Sequence, residues 1–382
     1  MAAVLQKPTQ LVVPSFTAGD IEADDEWNAQ SSWDMKVEVP AELTGYVDAN
    51  ILACMPPGTI IDSIRPHGSS YWSATAEIQA TLEGEPRSYF VKATQNKFGK
   101  KMFRGEYESA KAIHDACPDF CPPPIACGTY QSVPNTYFFL SGFIDMLDDL
   151  PDLGLFPQKL AEMHMKAIAP DGMYGFHVQT MTALLPQYVT KSASWEEFFT
   201  GYMRHLMMAE TFAQGPLSDE LNRLETVFLE HIIPRLCRPL ETGGRSIEPR
   251  LLHSDLWDGN AAIEAETENP IIFDPSCFYG HNEFEIGVWR CPRHKTGKPY
   301  IENYHRYFAK SNPEEDYDGR NLMYLLSFET RASACWVGRG MFRESMICLL
   351  KELEQKFPES YEEWAKARGE SVCERKASTP PS

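Results

Sequence analysis

The sequence predicts an α+β fold in two lobes, a small β-rich lobe followed by a larger, mainly helical one. Three observations carry this. The chain has 382 residues, more than one average domain needs. Between about residues 60 and 94 apolar and polar residues alternate, the period of a half-buried strand. After about residue 145 the apolar spacing becomes helical.

The elements follow in chain order. Residues 1–36 carry scattered prolines and the acidic cluster Asp20, Glu22, Asp24, Asp25 and Glu26. They read as a disordered, solvated arm. Residues 37–143 make the first lobe. There, Ala76, Ile78, Ala80 and Leu82 alternate with Thr75, Glu77, Gln79 and Thr81. Glu83-Gly84-Glu85-Pro86 is a turn, and Ser88 to Ala93 is the second strand of a hairpin. Phe103, Tyr107, Ala110 and Ile113 then share helical spacing, and Pro118 with Pro122-Pro123-Pro124 stops that helix.

Residues 144–366 make the second lobe. Leu160, Met163, His164 and Ala167 share a helix face. Ser194 and Glu197 have the form of a capping box that opens another helix. Leu221, Leu224, Phe228 and Ile232 mark a third, stopped near Pro234, and Met346, Leu349, Leu350 and Leu353 mark one more. Residues 367–382 are polar, end in Pro-Pro-Ser and read as a disordered tail.

Composition narrows the function. Lys and Arg number 35 against 54 Asp and Glu, a formal net charge of −19. That field repels DNA and RNA, which argues against a nucleic-acid partner. No apolar run approaches bilayer length; Tyr137 to Leu147 is broken by Ser141, Gly142 and Asp145, so no membrane role is expected. The ten cysteines include no CxxC pair, and no N-terminal apolar segment resembles a signal peptide. Both point to reduced thiols in a cytoplasmic protein.

The strongest chemical signal is His253-Ser254-Asp255-Leu256-Trp257-Asp258-Gly259-Asn260, followed by Ile271-Ile272-Phe273-Asp274-Pro275. Phosphoryl transfer from ATP needs a carboxylate to orient the attacking hydroxyl and take its proton. It also needs oxygen ligands for Mg2+ on the phosphates. Asp255 suits the base, with Asn260 and Asp274 as metal ligands. Any one piece also reads as an ordinary turn; the joint arrangement favours a kinase-like site, with spacing close to the protein-kinase set H-R-D-L-x-x-x-N then D-F-G.

Two upstream residues fit. Lys92 lies among apolar residues of a strand, where an unpaired ammonium is costly. Glu106 follows fourteen residues later on the next helix; such a pair positions the α- and β-phosphates in kinases. Gly68, Ser69 and Ser70 sit between strand-like runs and are candidates to cap the phosphates, although with one glycine the stretch also reads as a plain hairpin turn. Trp257 suits a sugar face or packing under the loop. In Phe278 to Glu285, His281 and Glu283 suit a polar wall of a substrate pocket. A metal set of His281, Glu283 and Glu285 has no second cluster to support it.

Taken together, Leu251 to Asn260, Ile271 to Glu285, Gly175-Phe176-His177 and Met102-Phe103-Arg104-Gly105-Glu106 resemble the fructosamine kinase (ketosamine 3-kinase) family. That family belongs to the aminoglycoside-phosphotransferase and protein-kinase-like superfamily. The resemblance runs, with gaps, from about Arg65 to Leu350. It implies a bilobal protein-kinase-like fold with ATP between the lobes. It implies phosphorylation of the sugar 3-hydroxyl of ketosamines, as small molecules or on glycated proteins, leading to deglycation. By matched position it implies phosphate binding by Lys92, oriented by Glu106, catalysis by Asp255, and Mg2+ on Asn260 and Asp274. It also implies Trp257 and His281 near the acceptor and an interlobe hinge at Phe138 to Phe143.

The chain departs from the family at four places. Ser254 stands where Gly is usual, and Trp72 where some members have a redox-active Cys. Pro186-Gln187-Tyr188-Val189 lacks an Asn, and Val288-Trp289-Arg290-Cys291 replaces a Met-Phe-Gly-Gly run. Acceptor identity is therefore the open element. An aminoglycoside or amino-alcohol phosphotransferase of the same fold is one alternative. A silent kinase-like binding protein is another; the full set of Lys92, Glu106, Asp255, Asn260 and Asp274 argues against it.

Overall fold

In the computed structural model the described residues are 40–370, apart from Ser69 and Asn96. The N-terminal arm expected over 1–36 lies outside them, as do residues 371–382.

After a 3-10 turn at Ala41–Thr44, the first lobe has a short helix, α1 (Ala49–Ala53), capped by Asp48, whose side chain accepts from the Asn50 amide. The strands are β1 (Ile60–Pro66), β2 (Ala74–Leu82), β3 (Glu85–Thr94), β4 (Pro124–Thr129) and β5 (Tyr137–Gly142). They form one antiparallel sheet in the order β1-β2-β3-β5-β4. The β2–β3 turn places both Glu83 and Gly84 at positive φ, the geometry that matches the strand twist. Alternation along β3 sends Val91 and Ala93 into a core shared with Ala76, Ile78, Phe138 and Leu140. Lys92 must then face the other way, toward helix α2 (Gly99–Ala116).

Helix α2 lies close to the second lobe. A Cβ on Gly105 would stand 2.6 Å from the Gln179 carbonyl, so only a glycine lets the backbones approach there.

The second lobe adds β6 (Met146–Leu147), α3 (Leu155–Lys166), β7 (Met181–Thr182), β8 (Leu185–Pro186), α4 (Trp195–Gln214), α5 (Asp219–Val227) and α6 (Ile233–Cys237). Short strands β9 (Arg250–Leu252), β10 (Ala261–Glu264), β11 (Pro270–Ile272) and β12 (Phe278–Gly280) frame the site. β12 pairs with β9, and β10 lies between β11 and β6. Helices α7 (Asn282–Glu285), α8 (Lys298–Tyr307), α9 (Tyr317–Cys335), α10 (Gly340–Lys356) and α11 (Tyr361–Ala367) complete the order. One large core joins α2 to this lobe.

Two local expectations fail. The capping box at Ser194 does not form: Glu197 accepts from Ser192 instead. The Glu241 carboxylate takes over, accepting from the Trp195 amide at 3.0 Å and the Ser194 hydroxyl at 3.1 Å. Pro234 does not stop its helix either. A π segment over Phe228–Ile232 precedes it, and the helix runs on to Cys237. The wider turn accommodates the ring and the missing N–H. At the far end, Glu370 pairs with Arg245 at 2.6 Å, so the polar stretch after Ala367 is tied down at least that far.

Candidate active site

A cleft between the lobes is lined by His67, Phe90, Phe139, Phe143, Met146 and Ile272, with Lys92, Glu106 and Asp274 at its polar end. Lys92 Nζ donates to Glu106 Oε1 at 2.6 Å and also to Asp274 Oδ1. One ammonium therefore joins β3, α2 and the loop after β11. Burial opposes its charge, but the Asp274 and Glu106 carboxylates outweigh that and hold its pKa above the ordinary lysine value. The Asp274 side chain is 50% exposed, open to a ligand.

Gly68 and Ser70 line the cleft. The Ser70 hydroxyl accepts from the amides of Trp72 at 3.2 Å and Ser73 at 3.3 Å, so it closes the loop. Ser69 lies outside the described residues. Tyr71 meets Trp336 edge-on at 5.5 Å, which ties this loop to the end of α9.

Asp255 follows β9 on a loop held from several sides. Glu285 accepts from the amides of His253 and Ser254, the latter at 2.9 Å. His253 Nε2 donates to the Phe273 carbonyl at 2.8 Å, which leaves Nδ1 to accept from the Asp255 amide. Ser254 has φ +65°, the left-handed region where glycine is favoured. Its hydroxyl compensates by donating to the Ser276 carbonyl at 2.6 Å and accepting from Gln187 at 2.9 Å. Serine in the place of glycine therefore keeps the turn. Asn260 donates its amide nitrogen to the Asp255 carbonyl at 2.8 Å and to Oδ2 at 3.3 Å. Its oxygen is the end left for a cation.

Arg331, on α9, was not visible from the sequence. Its Nη2 donates to Asp255 Oδ1 at 2.7 Å and its Nη1 to the Ser254 carbonyl at 2.9 Å. Burial raises the pKa of Asp255 and Arg331 opposes the rise. Trp257 is 40% exposed, with its ring over Gly259 and 5.7 Å from that of His294. It packs against the loop yet keeps an accessible surface.

His281 and Glu283 do not form a substrate wall. Both are fully buried. His281 bonds to Tyr324 and Ser311, each at 2.8 Å. Glu283 accepts from Arg320 Nε at 2.7 Å and from the Ser311 amide at 2.7 Å. Glu285 serves the Asp255 loop. The His281, Glu283 and Glu285 metal set falls with them, since no cluster of three metal-binding side chains of this kind occurs among the described residues.

Two consequences are measurable. Arg320→Met strands the Glu283 charge inside the lobe and is expected to cost about 3–5 kcal/mol in urea unfolding. Burial, against the pull of Glu283, pushes the His281 pKa down to about 4. The unfolded chain then binds the extra proton first, so stability is lost as pH falls from about 6.5 toward 4, by up to ~3 kcal/mol. The melting temperature of His281→Gln is expected to be less steep in that window than that of wild type.

Asp274 and Asn260 offer two oxygen ligands. Mg2+ is usually held by one or two protein oxygens, with water and phosphate completing the shell. The residues present fit that ion.

The fructosamine kinase family model matches residues 70–341. A rice protein-ribulosamine 3-kinase, chloroplastic (Oryza sativa subsp. indica), is 33% identical over 243 residues, 63% of this chain. The match spans 65% of the rice protein's own length, just under two thirds. The mouse ketosamine-3-kinase (Mus musculus) is 32% identical over 220 residues, covering 52% of this chain and 68% of its own. Among solved structures, a protein of Thermobifida fusca assigned as a fructosamine-3-kinase superposes with TM-score 0.60 at 16% identity, covering 77% of this chain and 94% of its own. An aminoglycoside phosphotransferase reaches 0.50 at 13% identity, covering 78% and 95%. These two show the kinase-like fold. With the lysine–carboxylate group and the Asp255 loop assembled in it, and with most of its length under one family model, the chain belongs to the fructosamine kinase family.

Proposed function

We propose that the protein is an ATP-dependent kinase that phosphorylates the sugar 3-hydroxyl of ketosamines such as fructosamine and ribulosamine, leading to deglycation. The observation that carries this is the joining of Lys92, Glu106 and Asp274 in one ion group, with Asp255 and Asn260 held together on the neighbouring loop. Lys92 would contact the phosphates, and Gly68 and Ser70 would lie over them. The apolar walls at Phe90, Phe139 and Met146 suit a base. The acceptor oxygen bonds to the γ-phosphorus as the bond to the β-phosphate oxygen breaks. ADP leaves with that electron pair, and the hydroxyl proton passes to Asp255. Asn260 and Asp274 would hold Mg2+, which when bound offsets charge on the phosphates. Trp257 is the sequence candidate that keeps an exposed face for the acceptor.

The substrate class rests on the names of the rice and mouse relatives; the aminoglycoside alternative has only the shared fold. The acceptors this reading implies are small ketosamines or glycated proteins. The net charge of −19 supports amine-bearing partners over polyanions. The nine described cysteines are all unbonded, which supports a reducing compartment such as the cytoplasm. No helix among the described residues is long and apolar enough to cross a membrane.

The test is ADP release with Mg2+, ATP and ribuloselysine or fructoselysine, beside unmodified lysine and an aminoglycoside panel. Turnover only with the ketosamines is expected. Turnover confined to the aminoglycosides would replace the substrate class.

A further inference from the structure

We infer that Arg331 is a positioning residue: it fixes the carboxylate plane of Asp255 so that Oδ2 faces the acceptor hydroxyl. The inference rests on the proposed phosphoryl transfer and deepens it.

The Arg331 side chain is nearly buried, at 6% exposure, and lies on a 19-residue helix, α9, that runs through the core of the second lobe. Its fork spans two adjacent residues of the catalytic loop. One nitrogen holds Oδ1 of Asp255, at 2.7 Å, and another holds the carbonyl of Ser254, at 2.9 Å. A third contact reaches the Thr182 hydroxyl at 3.3 Å. The Phe328 ring lies 4.8 Å from the guanidinium carbon and limits its tilt. A planar fork gripping two points in this way sets an orientation that a point charge does not.

Arg331 also holds the loop backbone through the Ser254 carbonyl, but the loop has several further anchors. Glu285 binds the amides of His253 and Ser254, the Ser254 hydroxyl is tied to Ser276, and His253 is tied to Phe273. What those bonds leave undetermined is the rotation of the Asp255 carboxylate. Among the described residues, two side chains bond to it: Arg331 on Oδ1, and Asn260 on Oδ2 at the longer distance of 3.3 Å. The charge-assisted contact is the stronger. With Oδ1 occupied by Arg331, Oδ2 is the oxygen placed to take the proton.

Arg331→Met and Arg331→Lys, beside wild type, test this. In Arg331→Met, kcat is expected to fall about 100-fold, the usual scale for a misplaced catalytic group. The KM for ATP and the dissociation constant of Mg2+–ADP, which do not use the acceptor geometry, are expected to move less than about threefold. Arg331→Lys is expected to recover about a tenth of the wild-type kcat, since a lysine reaches one of the two points. A kcat for Arg331→Met within about threefold of wild type overturns the inference. So does a loss of ADP affinity parallel to the loss of kcat, which marks a general structural prop. A crystal structure of Arg331→Met with ADP and Mg2+ decides the point without any acceptor. A turned Asp255 carboxylate is expected, and an unchanged one overturns the inference. Absence of ketosamine turnover by wild type would sink the functional reading and leave this structural arm to judge Arg331.

Discussion

Replacing Asp255 with Asn is expected to lower kcat by about 10²–10⁴-fold, the contribution of a positioned general base. The amide is nearly isosteric and cannot take the acceptor proton. The backbone carbonyl of Asp255 still accepts from Asn260, so the loop keeps its metal-side anchor, and Mg2+–ADP affinity by calorimetry is expected to stay close to wild type. The substitution leaves Arg331 without its ionic partner, so a drop in melting temperature should accompany it. A variant that loses turnover while still binding ADP identifies the base. One that loses both points to the loop rather than to proton transfer.

Lys92→Met is expected to have the second large effect, on kcat/KM for ATP, by about 10²–10³-fold, the scale for removing one preorganised charge donor. Among the described residues, the Lys92 ammonium is the cation that joins the Glu106 and Asp274 carboxylates. Without it two like charges face each other, and Asp274 is free to leave the position in which it would hold Mg2+. Steady-state kinetics at varied ATP reads this. Arg is a poor replacement, because its longer fork does not fit a point between two carboxylates. Lys92→Arg should therefore remain impaired.

What the sequence shows best is what depends on short spacing. The β2 alternation at Ala76, Ile78 and Ala80 survives as buried positions. Asp255, Asn260 and Asp274 lie within one loop and the strand pair after it, so their spacing alone announces them. Lys92 and Glu106 were legible because a lysine in an apolar strand needs a partner, and the next helix held one. Ser254 stands where the family usually has glycine, and its hydroxyl is satisfied in the left-handed turn.

The misses share a cause. Helix α9 is buried along almost its whole length, so it shows no amphipathic period, and Arg331 sits 76 residues from the aspartate it touches. Glu241 caps α4 from 46 residues away, which no local capping pattern contains. His281 and Glu283 were misassigned because a polar block reads the same whether it faces a ligand or is satisfied inside the lobe. Only the partners Tyr324, Ser311 and Arg320 distinguish the two.

The most direct test of the central claim is where the phosphate goes. Wild-type protein, ATP and Mg2+ should be incubated with fructoselysine and with ribuloselysine, and the product followed by phosphorus NMR. The account requires a sugar phosphate ester on the 3-hydroxyl, followed by release of free lysine. An ester on another hydroxyl, or no ester while ADP still binds, would contradict it.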